Sequence, residues 1–390
     1  MRRILIILLL LPGLCLAYSL FALGRPGEPL PPVDARGRAL GNTALGLWDN
    51  YNLSLLNPAN LAGYGYSTFT MTTLREFNAY RVSAGESNYT TTGIPNLQYI
   101  FALSDSFNAA LGWRERQSWR FEYATPLTDG GQQVGWTTVE GSGSVNAASL
   151  ALGWHAADNL GLGLRVSGLI GDPEETWTAD YDDEDYGDYG STTDVLRSEV
   201  RGLAVAAGVN LRFGDLNTAA YCEFPLLGDV TRVTESSFGE VEATDTEFNY
   251  PLNFGAGLGW TPDDHWSLVA DFRYELWSGF KVGEVELGYE DAFHIGLGAE
   301  FVPVRRINAP FLARLPLRLG GFYEQLYDAP SGQALTEYGA TVGLGMFMGD
   351  EDESALDVSF QYSRRGDLEA NDLEEEFYRV IFTLNGADSW

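Results

Sequence analysis

The sequence predicts an all-β fold: a transmembrane, antiparallel, up-and-down β-barrel of about fourteen strands with an N-terminal hatch or plug segment. Three observations predict it. Apolar and polar residues alternate with period two in run after run, as strands with two unlike faces require. The gaps between these runs are short, long, short, long from about residue 96 to 386. Short gaps fall at 104–106, 155–159, 214–215, 261–264 and 349–353, and long ones near 124–144, 172–196, 225–249, 278–290 and 366–375. A soluble sandwich has no reason to gather its tight turns at one end. An outer-membrane barrel does, because its periplasmic turns are short and its extracellular loops long. Composition is the third observation. The 45 Gly, 20 Tyr, 21 Phe and 10 Trp suit β-structure with aromatic girdles. A mean hydropathy of −0.12 is too polar for a bundle of membrane helices, yet ordinary where half of each strand faces a lumen.

Taken in order, residues 1–17 read as a cleaved secretory signal. Arg2 and Arg3 form its charged start, residues 4–11 its apolar core, and Cys15-Leu16-Ala17 its cleavage site before Tyr18. Leu14 stands where lipidation of Cys15 would want a small residue. No later run reaches the roughly 20 apolar residues of a spanning helix. Residues 18–64 do not alternate, are rich in Pro (Pro26, Pro29, Pro31, Pro32) and Gly, and form the hatch or plug. They fill the lumen or hang in the periplasm. Residues 65–390 form the barrel. Its strands are expected near 65–75, 96–103, 107–123, 145–154, 160–171, 197–213, 216–224, 250–260, 265–277, 291–302, 314–327, 336–348, 354–365 and 375–386. An even number puts both barrel ends at the periplasmic side. The turn at 303–313 is long for that side.

Parity assigns the faces. Leu160, Leu162, Leu164, Val166 and Ile170 oppose Gly161, Gly163, Arg165 and Ser167; Leu356, Val358, Phe360 and Tyr362 oppose Asp357, Ser359 and Gln361. The apolar set faces lipid and the polar set the lumen. Trp154, Trp260 and Trp266 abut short turns and mark a periplasmic aromatic girdle.

The formal charge is −30, and −32 once the two signal arginines are gone. So acidic a chain does not bind nucleic acid non-specifically. Cys222 is then the one remaining cysteine, so no internal disulfide forms.

The string Ser54-Leu55-Leu56-Asn57-Pro58-Ala59-Asn60-Leu61 resembles the Asn-Pro-Ala motif that ends the N-terminal hatch of FadL-type outer-membrane transporters for long-chain fatty acids and related hydrophobic compounds. Tyr250-Pro251, the turn Thr261-Pro262-Asp263-Asp264 and Trp277-Ser278-Gly279-Phe280 are similar to a strand pair of that family. The ending Tyr362-Ser363-Arg364-Arg365-Gly366 matches more loosely, and residues 115–200 show no match. The resemblance implies energy-independent uptake of a hydrophobic small molecule through the bacterial outer membrane. It also implies gating by the hatch motif Asn57, Pro58 and Ala59, with no cofactor and no catalysis. PorV-like members of the family serve protein secretion, so a secreted-protein partner is the alternative; a general porin is a weaker one. A monomer embedded in outer-membrane lipid is expected. Independently of the family, Pro58 biases Asn57 towards an extended conformation, and the Asn side chain can bond nearby backbone.

In the third strand, Phe107, Ala109, Leu111 and Trp113 form a lipid face. Glu115 and Gln117 then take that parity before Trp119, Phe121 and Tyr123 resume it. Either the strand has left the membrane by Arg114, or Arg114, Glu115, Arg116 and Gln117 form a kink. A kink there is the lateral opening that the resemblance implies. Lumen parity also selects Arg165, Arg212, Asp271, Arg273, Glu275, Glu300, Arg318, Asp357 and Arg379. These pair with one another or meet a substrate carboxylate, which arginine binds bidentately. The acidic run 180–189 lacks the Gly and Glu that a calcium loop needs at its sixth and twelfth positions, so a loose divalent site or a solvated loop remains. Of the histidines, only His294 has lumen parity, and no nucleophile accompanies it.

Overall fold

The computed structural model describes residues 19–388 except 52–53, 84, 183–189, 238, 240, 249, 304–309, 311–313, 330–331 and 349–353. The signal, the centre of the acidic run, the 349–353 turn, most of the 303–313 turn and Trp390 lie outside the described residues.

The wall strands are β1 (Ser67–Val82), β2 (Gly85–Ala102), β3 (Phe107–Ser118), β4 (Ser144–Ala157), β5 (Leu160–Gly171), β6 (Thr192–Phe213) and β7 (Leu216–Ser236). They continue as β8 (Asn253–Trp260), β9 (Trp266–Glu275), β10 (Ala292–Phe301), β11 (Leu317–Gln325), β12 (Thr336–Met348), β13 (Ser354–Asp367) and β14 (Leu373–Asp388). Each pairs antiparallel with the next, and β14 returns to β1 through a register running from Ser67↔Asp388 to Arg81↔Glu374. The result is a closed fourteen-stranded barrel without free edges over most of its height, the form a lipid solvent demands of a sheet.

The packing is inverted relative to a soluble protein. Leu164, Val166 and Ile170 are exposed on the outer face while Arg165 and Ser167 are buried inside, and other strands repeat this. Trp154, Trp260 and Trp266 are all exposed at the ends of their strands.

Four further strands correct the expected loops. Phe121–Asp129 pairs with Gln132–Ser142, which pairs with Glu174–Tyr181, which pairs with the upper part of β6; Val241–Glu247 pairs with the upper part of β7. Spanning takes about 9–11 residues. β6 has 22 and β7 has 21, so both stand well beyond the bilayer and the loops between them become sheet.

The inner segment 19–64 contains the short helix α1 (Ala35–Ala39) and a 3-10 turn at Pro58–Gly63. Its backbone meets wall residues around the circumference, including Thr383, Asp271 and the β3 edge.

Candidate functional site

The inner segment is seated by missing side chains and held by ions. Asn57 is extended and caps the Pro58–Gly63 turn, its Oδ1 accepting from the Ala59 amide at 3.0 Å. Its Nδ2 donates to Asn210 Oδ1 at 3.1 Å, and Asn210 donates back to Asn60 at 2.9 Å. Gly163 and Gly208 face this turn. A Cβ on the first would fall on the Pro58 carbonyl carbon, and on the second on the Asn57 side chain. Glycine is therefore demanded by close backbone approach.

Charges close the rest of the lumen. Arg36 reaches Glu300 at 2.8 Å and Asp49 at 2.9 Å; Arg318 binds the same Glu300 at 2.6 Å and Asp357 at 2.5 Å. Asp271 accepts from the amides of Leu45 at 2.8 Å and Gly46 at 3.2 Å. Arg365 binds Glu28 at 2.7 Å and Glu337 at 2.6 Å, while Arg379 binds Glu337 at 2.8 Å and also Glu76. Arg165 binds Glu223 and the Leu55 carbonyl. Arg273 donates to the Asn42 carbonyl at 3.3 Å, and Glu275 accepts from Trp277 Nε1 at 2.8 Å. Arg212 lies exposed at the periplasmic mouth, stacked 4.8 Å over Trp48. His294 is buried beside Glu324 at 3.2 Å.

Parity found the wall members of this network but missed Glu76, Glu223, Glu337 and Arg365, whose own strands alternate well enough to have shown them. It could not have found Glu28, Arg36 or Asp49, which lie where nothing alternates.

The third strand departs from its neighbours at residues 114–117. The β2–β3 ladder ends at Asn96↔Arg114, one residue after Pro95, which has no amide to donate. A bulge at Arg116 then shifts the β3–β4 register. Beyond it the chain turns inward. Arg116 binds Glu223 at 2.6 Å, and Gln117 accepts from the Tyr250 hydroxyl at 2.7 Å. On the inner side, Glu28 and Pro29 pair with Ser118 and Gln117. The expected return of Trp119 and Phe121 to the lipid face is corrected: both are buried inside, because the extra residue at the bulge reverses parity.

That turn supplies one wall of an apolar chamber on the loop side. The cavity is about 260 Å³ and is walled by Trp119, Val200, Val230, Phe248, Tyr250 and Phe280, among others, with Arg25, Glu175, Ser198 and Arg232 as polar members. Gly24 to Pro26 of the inner segment close one side, Glu175 accepting from the Gly24 amide at 3.0 Å. A separate cavity of about 330 Å³, lined by Arg36, Trp48, Asp49 and Arg212, sits at the periplasmic mouth. Smaller cavities of about 70 and 30 Å³ lie among the lumen's polar residues. Among the described residues, no group of three or more His, Cys, Asp or Glu is disposed to hold a metal.

A closed fourteen-stranded barrel with an N-terminal segment inside it has the fold of the FadL-type outer-membrane channels. The toluene transporter TbuX of Ralstonia pickettii aligns with a TM-score of 0.64 at 14% identity, over 92% of this chain and 99% of its own. A FadL homologue of Pseudomonas aeruginosa aligns with a TM-score of 0.64 at 11% identity, over 92% and 98%. The toluene transporter TodX of P. putida gives 0.63 at 14% identity, over 93% and 100%. No curated protein matches the sequence. The sequence model of the BamG family matches residues 17–223 and 217–390, and the chain belongs to the BamG family.

Proposed function

We propose that this protein takes up a hydrophobic small molecule across the outer membrane without an energy source, with residues 19–64 as its plug. The observation that carries the proposal is the apolar chamber on the loop side of the buried ion pairs. A dry apolar cavity of about 150 Å³ suffices for benzene. A chamber of about 260 Å³ suits a compact one- or two-ring hydrophobe better than a fully enclosed long-chain fatty acid. In this reading Asn57, Pro58 and Ala59 anchor the plug, and the seam where β2 and β3 part at Arg114–Gln117 is the lateral way out. Arg165, Asp271, Arg273, Glu275 and Arg318 then serve the plug's seat, and Arg212 its periplasmic rim. The test is binding of the fluorescent hydrophobe N-phenyl-1-naphthylamine to the detergent-solubilised protein. Saturable binding weakened at least tenfold by Phe280→Ser supports the proposal; no saturable binding refutes it.

A second reading, a PorV-like component that engages secreted proteins, is favoured by one observation. Among the described residues, ion pairs such as Arg36–Glu300 and Arg365–Glu337 cross the lumen between chamber and mouth. It predicts a stoichiometric protein partner and an empty chamber.

A further inference from the structure

We propose that the hairpin Lys281–Val282 and Val285–Glu286 is a hinged lid over the chamber; the inference rests on the binding role proposed for that chamber. This hairpin forms its own two-stranded sheet, apart from the barrel sheet. Two-stranded hairpins this short are marginal in water without further packing. Its residue Val282, and Leu287 just beyond it, form part of the chamber wall. Yet its tip carries an apolar group out to solvent, Val285 being 61% exposed and not part of that wall.

The ties are unequal. At the base, Trp277 stacks on Tyr327 at 4.2 Å, and Asp291 accepts from the Ser278 amide and the Tyr274 hydroxyl, each at 2.9 Å. The tip is tied to the rim by the Phe248–Val282 bridge and by the Gly283 amide donating to the Glu247 carbonyl at 2.7 Å. Firm base and lightly tied tip make the base a hinge. Lifting the tip widens the chamber's opening to the outside, with Val285 offering an apolar surface to an arriving hydrophobe.

Thr246 Cγ2 lies 3.1 Å from where a Gly283 Cβ would stand, so a Thr246→Cys/Gly283→Cys pair in a Cys222→Ser background, its disulfide confirmed by mass, locks the tip to the rim; the left-handed φ of 63° at 283 strains the new side chain, and the reduced pair controls for that strain. Oxidation is expected to slow N-phenyl-1-naphthylamine association at least tenfold, and reductant to restore it. Equal rates oxidised and reduced overturn the lid. Hydrogen exchange of the unmodified protein decides independently of dye binding. Amides of 281–286 should exchange at least tenfold faster than those of β9, and protection equal to β9 overturns the lid. A protein that binds no dye contradicts the proposed function, while the exchange result still stands for or against the lid.

Discussion

At Gly163 the wall has no room for a methyl group, because Pro58 of the inner segment occupies its place. Overpacking of this kind costs about 1–3 kcal/mol. Gly163→Ala should therefore loosen the inner segment without unmaking the barrel. Limited proteolysis should cut residues 54–64 faster while the barrel keeps its heat-modifiable migration; unchanged cleavage would contradict the seat. Asp34, in the plug and not in a spanning strand, adds a pH dependence. Burial raises its carboxyl from 3.8 to about 6, against the opposing hydrogen bond from the Gly37 amide. The seated state holds this proton more tightly than the released one. Its contribution to seating is thus complete below about pH 4 and lost as pH rises through about 6. Asp34→Asn keeps the capping oxygen and removes the titration. Corrected exchange of residues 35–40 should then be flat from pH 5 to 7, where the parent protein exchanges faster at the higher pH. Asp271 and Arg318 were legible because each sits at lumen parity in an alternating strand. Their partners in residues 36–46 were not, since nothing in a non-alternating segment says which side chain meets which wall.

Among the elements, β3 decides the shape of the interior. Its bulge at Arg116 moves Trp119 from the lipid side to the chamber wall and Phe121 into the buried apolar cluster beside it, and leaves Glu223 between Arg116 and Arg165. The sequence showed the disturbance, because Glu115 and Gln117 occupy the lipid parity of Trp113. It did not show the outcome, because one inserted residue reverses every face beyond it. Glu223→Gln would leave two buried guanidiniums without their carboxylate, and breaking such a group costs about 3–5 kcal/mol. The expected result is a lower unfolding temperature in detergent and faster exchange at residues 114–119. If the bulge keeps its protection in that variant, Glu223 does not hold it. Glu115→Leu with Gln117→Leu should slow uptake of a hydrophobe into liposomes while dye binding to the chamber persists; unchanged uptake would remove the seam from the pathway. The strands above the rim escaped the sequence reading for a different reason. Residues 121–142 and 174–181 are flanked by turn-forming residues and alternate weakly; 174–181 pairs with the overlong β6, and 132–142 and then 121–129 add outward from it.

For the whole molecule, period-two alternation and the rhythm of turns were enough to give the barrel and its strand number, since lipid outside and polar lumen inside impose one pattern on every wall strand. The chamber was not legible, being assembled from Gly24–Pro26, β3 beyond its bulge, β6, β7 and residues 248–289, which no local pattern connects. The central claim is that this chamber holds an apolar ligand. Mass spectrometry of small molecules and proteins that copurify with the detergent-extracted protein tests it most directly. A stoichiometric compact hydrophobe, lost from the Phe280→Ser variant, is the expected result. An empty barrel with a stoichiometric protein partner would contradict it and establish the secretion-associated reading in its place.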